Sequence, residues 1–587
     1  MNWDLTYHFK NNEEFENALA EVSNMATEFK KFEGKLSVEE EFVKYLLLTK
    51  EFEIKISKVH QYASLKSDLN KKNVENAANL NRCMMVLYQL SEIVSYAEPE
   101  ILSIGKEKIL NFIDNNKEIE EFRFKMEKLF HTKEHILDAK SEKLLSLFGP
   151  VTSSARELYS ALAVGDGTSE KVKLKNKEVV NVTQGNFRSL IVNSTNPQDR
   201  KKVFEAVYKG YEKNKNTYAT IYNNVLQKNK AVAKARGYDS VLESYLYHNN
   251  IPTEVFTNLI EVAGTKNKSL KKYIKLRKKA LGLKQYCTYD RFLELARSNK
   301  QYTYEEAKEL FFKALEKFPE DFQNKAREVL KDGFVDVEEK EGKRTGAYSS
   351  SVANLHPFIL LNYDNTLDSV FTVAHEAGHS MHSMYAAENQ PVTLQKYTIF
   401  VAEIASTFNE HVLLDYFLES SDATKNEKIM VIQKAIDEIV STFYRQTLFA
   451  EFEYLANEHV AKNLPVNHEV LSNIMVELYK KYYGLDITKE GLKQYVWAYI
   501  PHLFYTPFYV YQYATSFAAS FKIYKEVKAN TEGAFEKYIG LLSSGGSKYP
   551  VEQAKEAGVD FTKKDAYMAV VERMDYLVDY LEKLLEE

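Results

Sequence analysis

The stretch F-T-V-A-H-E-A-G-H-S-M-H-S-M-Y, Phe371 to Tyr385, places three of the chain's 13 histidines and a glutamate within eight positions. It contains the pattern H-E-x-x-H from His375 to His379. Residues four apart on an α-helix lie on one face, roughly 5 to 6 Å apart at Cβ, so two imidazoles can reach one metal ion. The stretch therefore predicts a helix that offers two metal ligands on one face.

The flanking sequence favours a helix over about residues 366–389. Thr366 or Asn365 can cap its start, Asp368 lies in the first turn, and no proline interrupts it. A glycine inside a helix, here Gly378, costs about 1 kcal/mol relative to alanine. We therefore expect another part of the backbone to approach closely at that position.

A catalytic zinc site takes three protein ligands, so the two histidines require a third. The stretch Y-T-I-F-V-A-E-I-A-S-T-F-N-E-H, Tyr397 to His411, places Glu403 among apolar neighbours on a second predicted helix. Burying an unpaired carboxylate is unfavourable, and a metal ion would offset that cost. We expect His375, His379 and Glu403 to hold one zinc ion.

Three further side chains are candidates to support these ligands. Glu410 lies seven residues after Glu403, and Asp368 lies seven before His375, so either can orient a ligand histidine through a hydrogen bond. His382 either borders the site or is a packing histidine.

Glu376 lies between the two ligand histidines and is free for chemistry. Zinc lowers the pKa of a bound water to near 7, and Glu376 can take a proton from that water as general base and pass it to the leaving amine. The pattern thus predicts hydrolysis of amide bonds. The alternative is a non-catalytic peptide-binding protein, which would not require this base.

A tyrosine-rich segment offers donors for the oxyanion of the transition state. The segment I-P-H-L-F-Y-T-P-F-Y-V-Y-Q-Y-A-T-S, Ile500 to Ser516, holds a histidine and four tyrosines. Phenol and imidazole are suitable neutral donors. His502, Tyr509 and Tyr513 are the candidates, and the two tyrosines are expected to share a helix face. Core packing is the alternative in a chain with 40 tyrosines.

The rest of the chain predicts a mainly helical protein, because glycine (21) and proline (11) are scarce and helical periodicity is widespread. We expect residues 1–196 to form an N-terminal helical lobe with a β-hairpin near 171–183. Residues 197–587 would form the catalytic domain. Short β-rich segments between Asp332 and Tyr363 predict a small sheet beside the active-site helix.

Composition excludes several classes of protein. The net charge of -5 leaves no basic excess for nucleic acid. Cys83 and Cys287 lack metal or disulfide spacing, which favours a reducing compartment. No signal-like N-terminus and no long apolar run are present. We expect a cytoplasmic protein with no membrane contact and no obligate protein partner.

Three separated segments resemble, in this order, the M3 family of zinc metallopeptidases, specifically its oligoendopeptidase F type: H-E-A-G-H-S-M-H-S, E-I-A-S-T and P-H-L-F-Y-T-P-F-Y-V-Y-Q-Y-A-T-S. The resemblance implies an elongated helical zincin fold whose two lobes flank a deep channel with zinc at its floor. It also implies cleavage of short, unstructured oligopeptides. The resemblance implies that the zinc ligands are His375, His379 and Glu403 and that the general base is Glu376.

Two further segments fit the same resemblance. Gly346, Ala347 and Tyr348 are expected to form an exposed strand edge that pairs with substrate backbone, with an ordinary strand end as the alternative. The glycine-rich segment Ser543 to Ser547 is either a mobile lid or a turn that ends a helix.

Overall fold

Helices account for most of the regular structure, as the scarcity of glycine and proline predicts. The computed structural model describes residues 2–167 and 169–586. Contacts group the chain into two compact units, each assembled from three segments. The first unit comprises Met1–Glu134, Asn299–Tyr416 and Ile523–Val559, and the second comprises His135–Ser298, Phe417–Lys522 and Asp560–Glu587. The predicted division at residue 196 concerns domains along the sequence and stays a prediction; both sides of it lie in the second unit.

The first third of the chain alternates long and short helices. Their bounds are α1 (Asn12–Glu28), α2 (Glu39–Leu69), α3 (Val74–Ile93), α4 (Ala97–Ile104), α5 (Lys106–Asn115), α6 (Arg123–His131), α7 (Ala139–Leu147), α8 (Gly149–Ser160) and α9 (Phe187–Val192). The middle of the chain continues with α10 (Pro197–Lys213), α11 (Lys215–Ala235), α12 (Val241–Leu246), α13 (Thr253–Thr265), α14 (Lys268–Ala280), α15 (Tyr304–Ala314) and α16 (Glu320–Val329).

The C-terminal part carries the predicted site. Its helices are α17 (Leu367–Asn389), α18 (Ile399–Glu419), α19 (Lys425–Glu438), α20 (Arg445–Ala461), α21 (His468–Tyr483), α22 (Val496–Tyr499), α23 (His502–Tyr505), α24 (Tyr511–Lys528), α25 (Ala534–Ser543), α26 (Pro550–Glu556) and α27 (Asp565–Glu586). The helix predicted over 366–389 is therefore confirmed as α17.

Two small sheets interrupt the helices. An antiparallel hairpin, β1 (Glu170–Lys173) with β2 (Val179–Val182), lies in the second unit where the sequence predicted one. In the first unit, β3 (Val335–Glu338), β4 (Tyr348–Ser350) and β5 (Phe358–Tyr363) form a sheet of order β3-β5-β4. β5 pairs with β3 in parallel and with β4 antiparallel. This places β4 at an edge of the sheet, and the central strand β5 comes just before α17 in the chain.

An apolar cluster fixes the three-stranded sheet to the start of the chain. Phe358 and Leu360 of β5 are fully buried and pack with Trp3 and Leu65. The indole Nε1 of Trp3 also donates to the carbonyl oxygen of Ile359 at 2.8 Å. The strand that leads into α17 is thereby anchored through its side chains and its backbone.

Within the described ranges, no helix combines the length and apolar character needed to cross a lipid bilayer. Cys83 and Cys287 are both free thiols, as their spacing predicted.

Candidate functional site

The register of α17 is set at its N-terminus. Thr366 Oγ1 accepts a hydrogen bond from the backbone N–H of Ser369 at 3.3 Å, so Thr366 is the cap. Asp364 in turn accepts hydrogen bonds from the Thr366 hydroxyl (2.6 Å) and the Ser369 hydroxyl (2.7 Å). Capping of this kind satisfies donors that a helix leaves free at its start. The helix therefore begins at a fixed residue, and His375 and His379 fall on one face.

Gly378 lets α17 and α18 approach each other closely. A Cβ at this position would lie 2.5 Å from the carbonyl oxygen of Ala405 and 2.6 Å from the Cα of Ser406. Neither atom can move without shifting the backbone of α18. The expectation that another backbone lies against Gly378 is confirmed, and the contact brings Glu403 to the histidines.

His375, His379 and Glu403 converge on one point. One ligand atom from each lies within 4.8 Å of the other two, and all three residues are half-buried. Glu403 Oε2 lies 3.4 Å from His375 Nε2 and 3.4 Å from His379 Nε2. The imidazole rings stand nearly perpendicular, with centroids 4.9 Å apart. Two nitrogens and a carboxylate oxygen at these separations can surround one metal ion.

Hydrogen bonds hold His375 and Glu403 of this cluster from behind. His375 Nδ1 lies 2.5 Å from Glu410 Oε1, which leaves Nε2 directed toward the cluster. The Ser406 hydroxyl donates to Glu403 Oε2 at 2.9 Å. Asn409 Nδ2 donates to the carbonyl oxygen of Ala374 at 3.2 Å and ties α18 to α17. Glu410 thus has the contact predicted for it.

The histidines and carboxylates of the cluster favour each other's charged forms. Burial opposes ionisation of Glu403, but hydrogen bonds from His375 and His379 outweigh it and hold the pKa of this carboxyl well below its usual range. Burial likewise lowers the pKa of His375, but its hydrogen bonds to Glu403 and Glu410 raise the pKa well above its ordinary value. The carboxylates therefore attract positive charge to this point.

Glu376 lies beside the cluster without joining it. The residue is 5% exposed, and its Oε2 atom is buried with no hydrogen-bond partner among the described residues. Burial raises the pKa of this carboxyl, while the neighbouring His375 and His379 oppose the shift. A buried oxygen without a partner is costly unless a further molecule supplies one.

His382 packs rather than points into the cluster. Its ring stacks on Tyr397 with centroids 3.6 Å apart and planes 2° from parallel. The residue is fully buried, and burial lowers its pKa to about 3, so the imidazole is neutral. Tyr397 also lies 3.1 Å from the Ser383 hydroxyl, which ties the connection between α17 and α18 to the ligand helix. Asp368 is exposed in the first turn, and its supporting role stays a prediction.

The glycine-rich segment forms a turn after α25 that packs on the connection between α17 and α18. Gly546 N donates to the carbonyl oxygen of Leu394 at 2.7 Å. A Cβ at Gly545 would lie 2.2 Å from the same oxygen, and one at Gly546 would lie 2.2 Å from the carbonyl oxygen of Lys396. Gly545 also has a φ of 50°, which favours glycine. The segment is therefore a helix-ending turn in close contact, and we name residues 543–547 the glycine turn.

Of the three residues predicted to form a strand edge, only Tyr348 lies in a strand, the edge strand β4, and Gly346 and Ala347 come just before it. Tyr348 opens β4, and its hydroxyl donates to Asp68 Oδ2 at 2.8 Å. Gly346 has a φ of 82°, and its carbonyl oxygen accepts a hydrogen bond from Asn362 Nδ2 at 2.7 Å. Ser349 on β4 contacts Ser380 of α17, hydroxyl to hydroxyl, at 2.8 Å. Ala347 lies between these anchored residues, so the backbone of the edge is fixed beside the ligand helix.

The predicted oxyanion donors lie together in the second unit. The rings of His502 and Tyr509 are 5.9 Å apart and nearly parallel, and Tyr513 is 5.5 Å from Tyr509. All three residues are half-buried. Tyr509 and Tyr513 do not share a helix face, because α24 begins only at Tyr511. The left-handed backbone of Phe508, with a φ of 52°, delays the start of the helix.

A buried carboxyl holds this left-handed turn. Glu453 Oε1 accepts a hydrogen bond from the backbone N–H of Phe508 at 2.7 Å. The Phe508 ring packs 5.3 Å from Tyr245 and 5.8 Å from Phe256. A left-handed residue other than glycine costs of order 1–2 kcal/mol, so such contacts are needed to keep it. Burial raises the pKa of Glu453 to about 8.

The sequence did not reveal Asp364, Ser406 or Glu453 as parts of these arrangements. Asp364 precedes a capping threonine, which is a recognisable signal of a helix start. Ser406 lies only three residues from Glu403 on the same helix, a spacing that the sequence does offer. Glu453 carries no such signal, because Phe508 is close to it only in the folded chain.

The chain matches known families over most of its length. The model of Peptidase family M3 matches residues 190–572, and the model of Oligopeptidase F matches residues 100–168. The Oligoendopeptidase F homolog of Borreliella burgdorferi is 37% identical over 96% of this chain and 94% of the relative. The Oligopeptidase PepF of Bacillus subtilis is 34% identical over 99% of this chain and 87% of the relative.

Solved structures agree with these matches. A crystal structure from Chlamydophila abortus superposes with a TM-score of 0.91 at 32% identity, over 99% of this chain and 98% of the other. The crystal structure of oligoendopeptidase-F from Enterococcus faecium superposes with a TM-score of 0.77 at 28% identity. The superposition covers 98% of this chain and 99% of the other. The mainly helical fold with small sheets is thereby confirmed. The chain belongs to peptidase family M3 and is a metalloendopeptidase of the oligoendopeptidase F type.

Proposed function

We propose that the enzyme is a zinc endopeptidase that hydrolyses internal bonds of short, unstructured peptides, with one zinc ion held by His375, His379 and Glu403. The observation that carries this proposal is the convergence of three ligand atoms within 4.8 Å on two helices. Two imidazoles and one carboxylate are donors that zinc prefers, and Glu410 behind His375 is the usual carboxylate support of a ligand histidine.

The residues fit this metal for a further reason. Glu376 Oε2 is buried beside the ligands and has no hydrogen-bond partner among the described residues. When bound, zinc would supply a Lewis acid that polarises the scissile carbonyl and makes water more acidic. Glu376 would accept the proton of the attacking water at its carboxylate and deliver it to the leaving nitrogen. Burial raises the pKa of this carboxyl, which makes its carboxylate a stronger base.

The edge strand β4 would align the peptide. Because β4 pairs only with β5 in this sheet, its other side offers backbone groups to an extended chain. Pairing at Gly346, Ala347 and Tyr348 would bind backbone rather than side chains, and so would give affinity with little sequence selectivity. The Tyr348 hydroxyl is already bound to Asp68, so this residue would act through its main chain.

His502, Tyr509 and Tyr513 would donate to the developing oxyanion. Their three rings already pack together and remain half-buried. Burial lowers the pKa of His502, which keeps the imidazole neutral at neutral pH. A cytoplasmic location, the elongated shape and the substrate channel stay predictions. Membership of a peptidase family does not favour the non-catalytic peptide-binding alternative.

The decisive experiment replaces the base and keeps the metal ligands. Glu376→Gln should lower kcat on a quenched fluorescent peptide by roughly 10²–10⁴-fold, because general base catalysis contributes about that much. Zinc content per chain should stay near that of the parent enzyme. Glu388→Gln is the control, since it makes the same change on the same helix at a residue paired with Lys325. Undiminished cleavage by Glu376→Gln would contradict the proposed mechanism.

A further inference from the structure

Two neighbouring side chains of the edge strand β4 point to opposite faces of the three-stranded sheet. The Tyr348 hydroxyl donates to Asp68 Oδ2 at 2.8 Å, whereas the Ser349 hydroxyl contacts that of Ser380 on α17 at 2.8 Å. Successive side chains of any strand alternate in this way. A peptide that pairs with β4 would therefore direct every second side chain toward α17 and the others toward the face of Tyr348.

An arginine lies on the Tyr348 face. The guanidinium carbon of Arg344 stands over the Tyr348 ring, 5.0 Å from its centroid, and the arginine side chain is 55% exposed. The indole of Trp3 packs 6.4 Å from the same ring and donates to the backbone of β5. Trp3 thus fills the side of the ring toward β5, and the exposed guanidinium covers a part of the ring that is open to solvent.

The backbone of Arg344 is held at both of its polar groups. Its N–H donates to the carbonyl oxygen of Asp68 at 2.8 Å, and its carbonyl oxygen accepts a hydrogen bond from Asn362 Nδ2 of β5 at 2.9 Å. Asn362 Nδ2 also donates to the carbonyl oxygen of Gly346 at 2.7 Å. The backbone of Arg344 is therefore fixed beside β4, and contact with the Tyr348 ring limits the freedom of its side chain. Such preorganisation lowers the entropy lost when a ligand binds.

The charge of Arg344 is only partly balanced. Its Nη1 lies 3.3 Å from Asp68 Oδ2, and among the residues that the structure describes this is the one ion pair of Arg344. Asp68 Oδ1 lies closer to another cation, Lys71 Nζ, at 2.6 Å. Two cations thus share one carboxylate, so one positive charge is in excess. A guanidinium also has five N–H donors, and the pair with Asp68 uses one of them.

A carboxylate matches this group, because its two oxygens accept parallel hydrogen bonds from the fork of a guanidinium. On a peptide paired with β4, the residue opposite Tyr348 projects to the face where Arg344 lies. We propose that Arg344 is a specificity-determining residue that favours peptides with an acidic side chain at the position opposite Tyr348. This inference rests on the proposed pairing of peptides with β4, and it adds one selective position to recognition that otherwise uses the backbone.

The test compares peptide substrates that differ by one charge. A quenched fluorescent peptide with an acetylated N-terminus and an amidated C-terminus carries glutamine at every variable position, and glutamate then replaces one glutamine at a time. The parent enzyme should cleave one of these glutamate peptides with a kcat/KM about tenfold above that of the all-glutamine peptide, as expected for a charged hydrogen bond. The difference should lie mainly in KM, because the contact is the same in the bound substrate and in the transition state. The blocked ends exclude a contribution from the terminal carboxylate.

Substitutions of Arg344 should change this ratio in a graded way. Arg344→Gln should lower the glutamate-to-glutamine ratio to about one, and Arg344→Glu should reverse the preference and favour lysine at the same peptide position. Arg344→Lys should keep a smaller preference for glutamate, since an ammonium keeps the charge but lacks the fork. Both peptides are cleaved by one enzyme preparation, so the ratio does not depend on how much of a variant is folded.

Lys72→Gln is the matched control, because it removes one positive charge near the same end of α2, where Lys72 pairs with Glu341. Its ratio should equal that of the parent enzyme. Equal kcat/KM values for all peptides in the parent enzyme, or a glutamate preference that survives Arg344→Gln, would overturn the proposal.

Failure of the proposed function would look different, because the parent enzyme would then cleave none of the peptides, the all-glutamine peptide included. In that event titration calorimetry with the same peptides tests Arg344 directly. A Kd about tenfold lower for one glutamate peptide, lost in Arg344→Gln, would support the assigned specificity, and equal Kd values would overturn it.

Discussion

The candidate metal cluster of His375, His379 and Glu403 is built in the opposite way to the group of His502, Tyr509 and Tyr513. The ligands of the cluster project from two regular helices that touch at Gly378, where there is no room for one extra methyl group. The second group spans a turn whose Phe508 has a left-handed backbone held by one buried carboxyl. The first arrangement rests on regular helices, whereas the second rests on a turn that one hydrogen bond and the packing of the Phe508 ring hold in place.

This difference matches the two roles proposed for these residues, metal binding and donation to the substrate. A metal ion demands a fixed set of distances, so its ligands come from packed elements with supporting hydrogen bonds. A donor that acts on a substrate must tolerate different peptides, and residues on turns tolerate such variation. Substitutions in the packed helices should therefore have larger effects than a substitution behind the turn.

Removing a ligand should abolish the metal site. In Glu403→Ala the two histidines lose their anionic partner, and we expect the zinc content to fall from near one per chain to near zero, with activity reduced by about a thousandfold or more. Metal analysis after dialysis and peptide cleavage measure both effects. Glu419→Ala, at the exposed end of the same helix, is the control. Retention of zinc by Glu403→Ala would remove Glu403 from the ligand set.

Separating the two helices should weaken the site without touching a ligand. Gly378→Ala places a methyl group 2.5 Å from the carbonyl oxygen of Ala405, and overpacking of this kind costs about 1–3 kcal/mol. We expect lower zinc affinity and a lower melting temperature. Gly540→Ala is the matched control, because Gly540 lies in α25 with nothing within 4 Å of the added methyl. It should gain up to about 1 kcal/mol from helix propensity. Equal zinc affinities and equal melting temperatures of the two variants would show that the close contact at Gly378 does not support the site.

Removing the support behind a ligand should have a smaller effect. Glu410→Ala leaves all three proposed ligands in place but frees the His375 ring, which Glu410 now contacts at 2.5 Å. Loss of such support lowers metal affinity about 10- to 100-fold. Competition with a zinc chelator measures the affinity, and excess zinc should restore most of the activity. Activity that stays low at saturating zinc would mean that Glu410 does more than orient His375.

The turn of the second unit should respond to pH through Glu453. Its pKa is raised to about 8 in the folded chain, against an ordinary value near 4.5, because burial disfavours the charged form. The folded state therefore holds a proton that the unfolded state has lost between these two values. This group's contribution to stability is complete below about pH 4.5 and is lost as the pH rises to about 8, at about 1.4 kcal/mol per pH unit.

Glu453→Gln removes this titration and keeps an oxygen that accepts the N–H of Phe508. The stability of the variant relative to the parent should rise from about pH 5 to pH 8 and then level off. Thermal melts across this range measure the difference. Glu458→Gln on the same helix is the control for a change of charge. A constant difference across the range would contradict the assigned role of Glu453.

The sequence predicted α17 and α18 more completely than it predicted their surroundings. The spacing of His375 and His379, and the apolar neighbours of Glu403, are local patterns that a helix converts directly into geometry. Gly378 predicted a close backbone contact at its position, but not that α18 makes this contact. The contact between the Glu453 side chain and the Phe508 backbone joins residues 55 apart in the chain and leaves no local signature. The left-handed turn of Phe508 was missed for the same reason, so the helix there was expected to begin too early.

The glycine turn bears on the synthesis of the protein. Its contact with residues 394–396, between the two metal helices, is made by residues that lie about 150 positions later in the chain. A ribosome therefore delivers His375, His379 and Glu403 long before the segment that packs on their connection. The first unit is complete only when Ile523–Val559 has emerged, so a nascent or shortened chain lacks part of the framework around its metal helices. We therefore expect a chain that ends before Ile523 to lack peptidase activity.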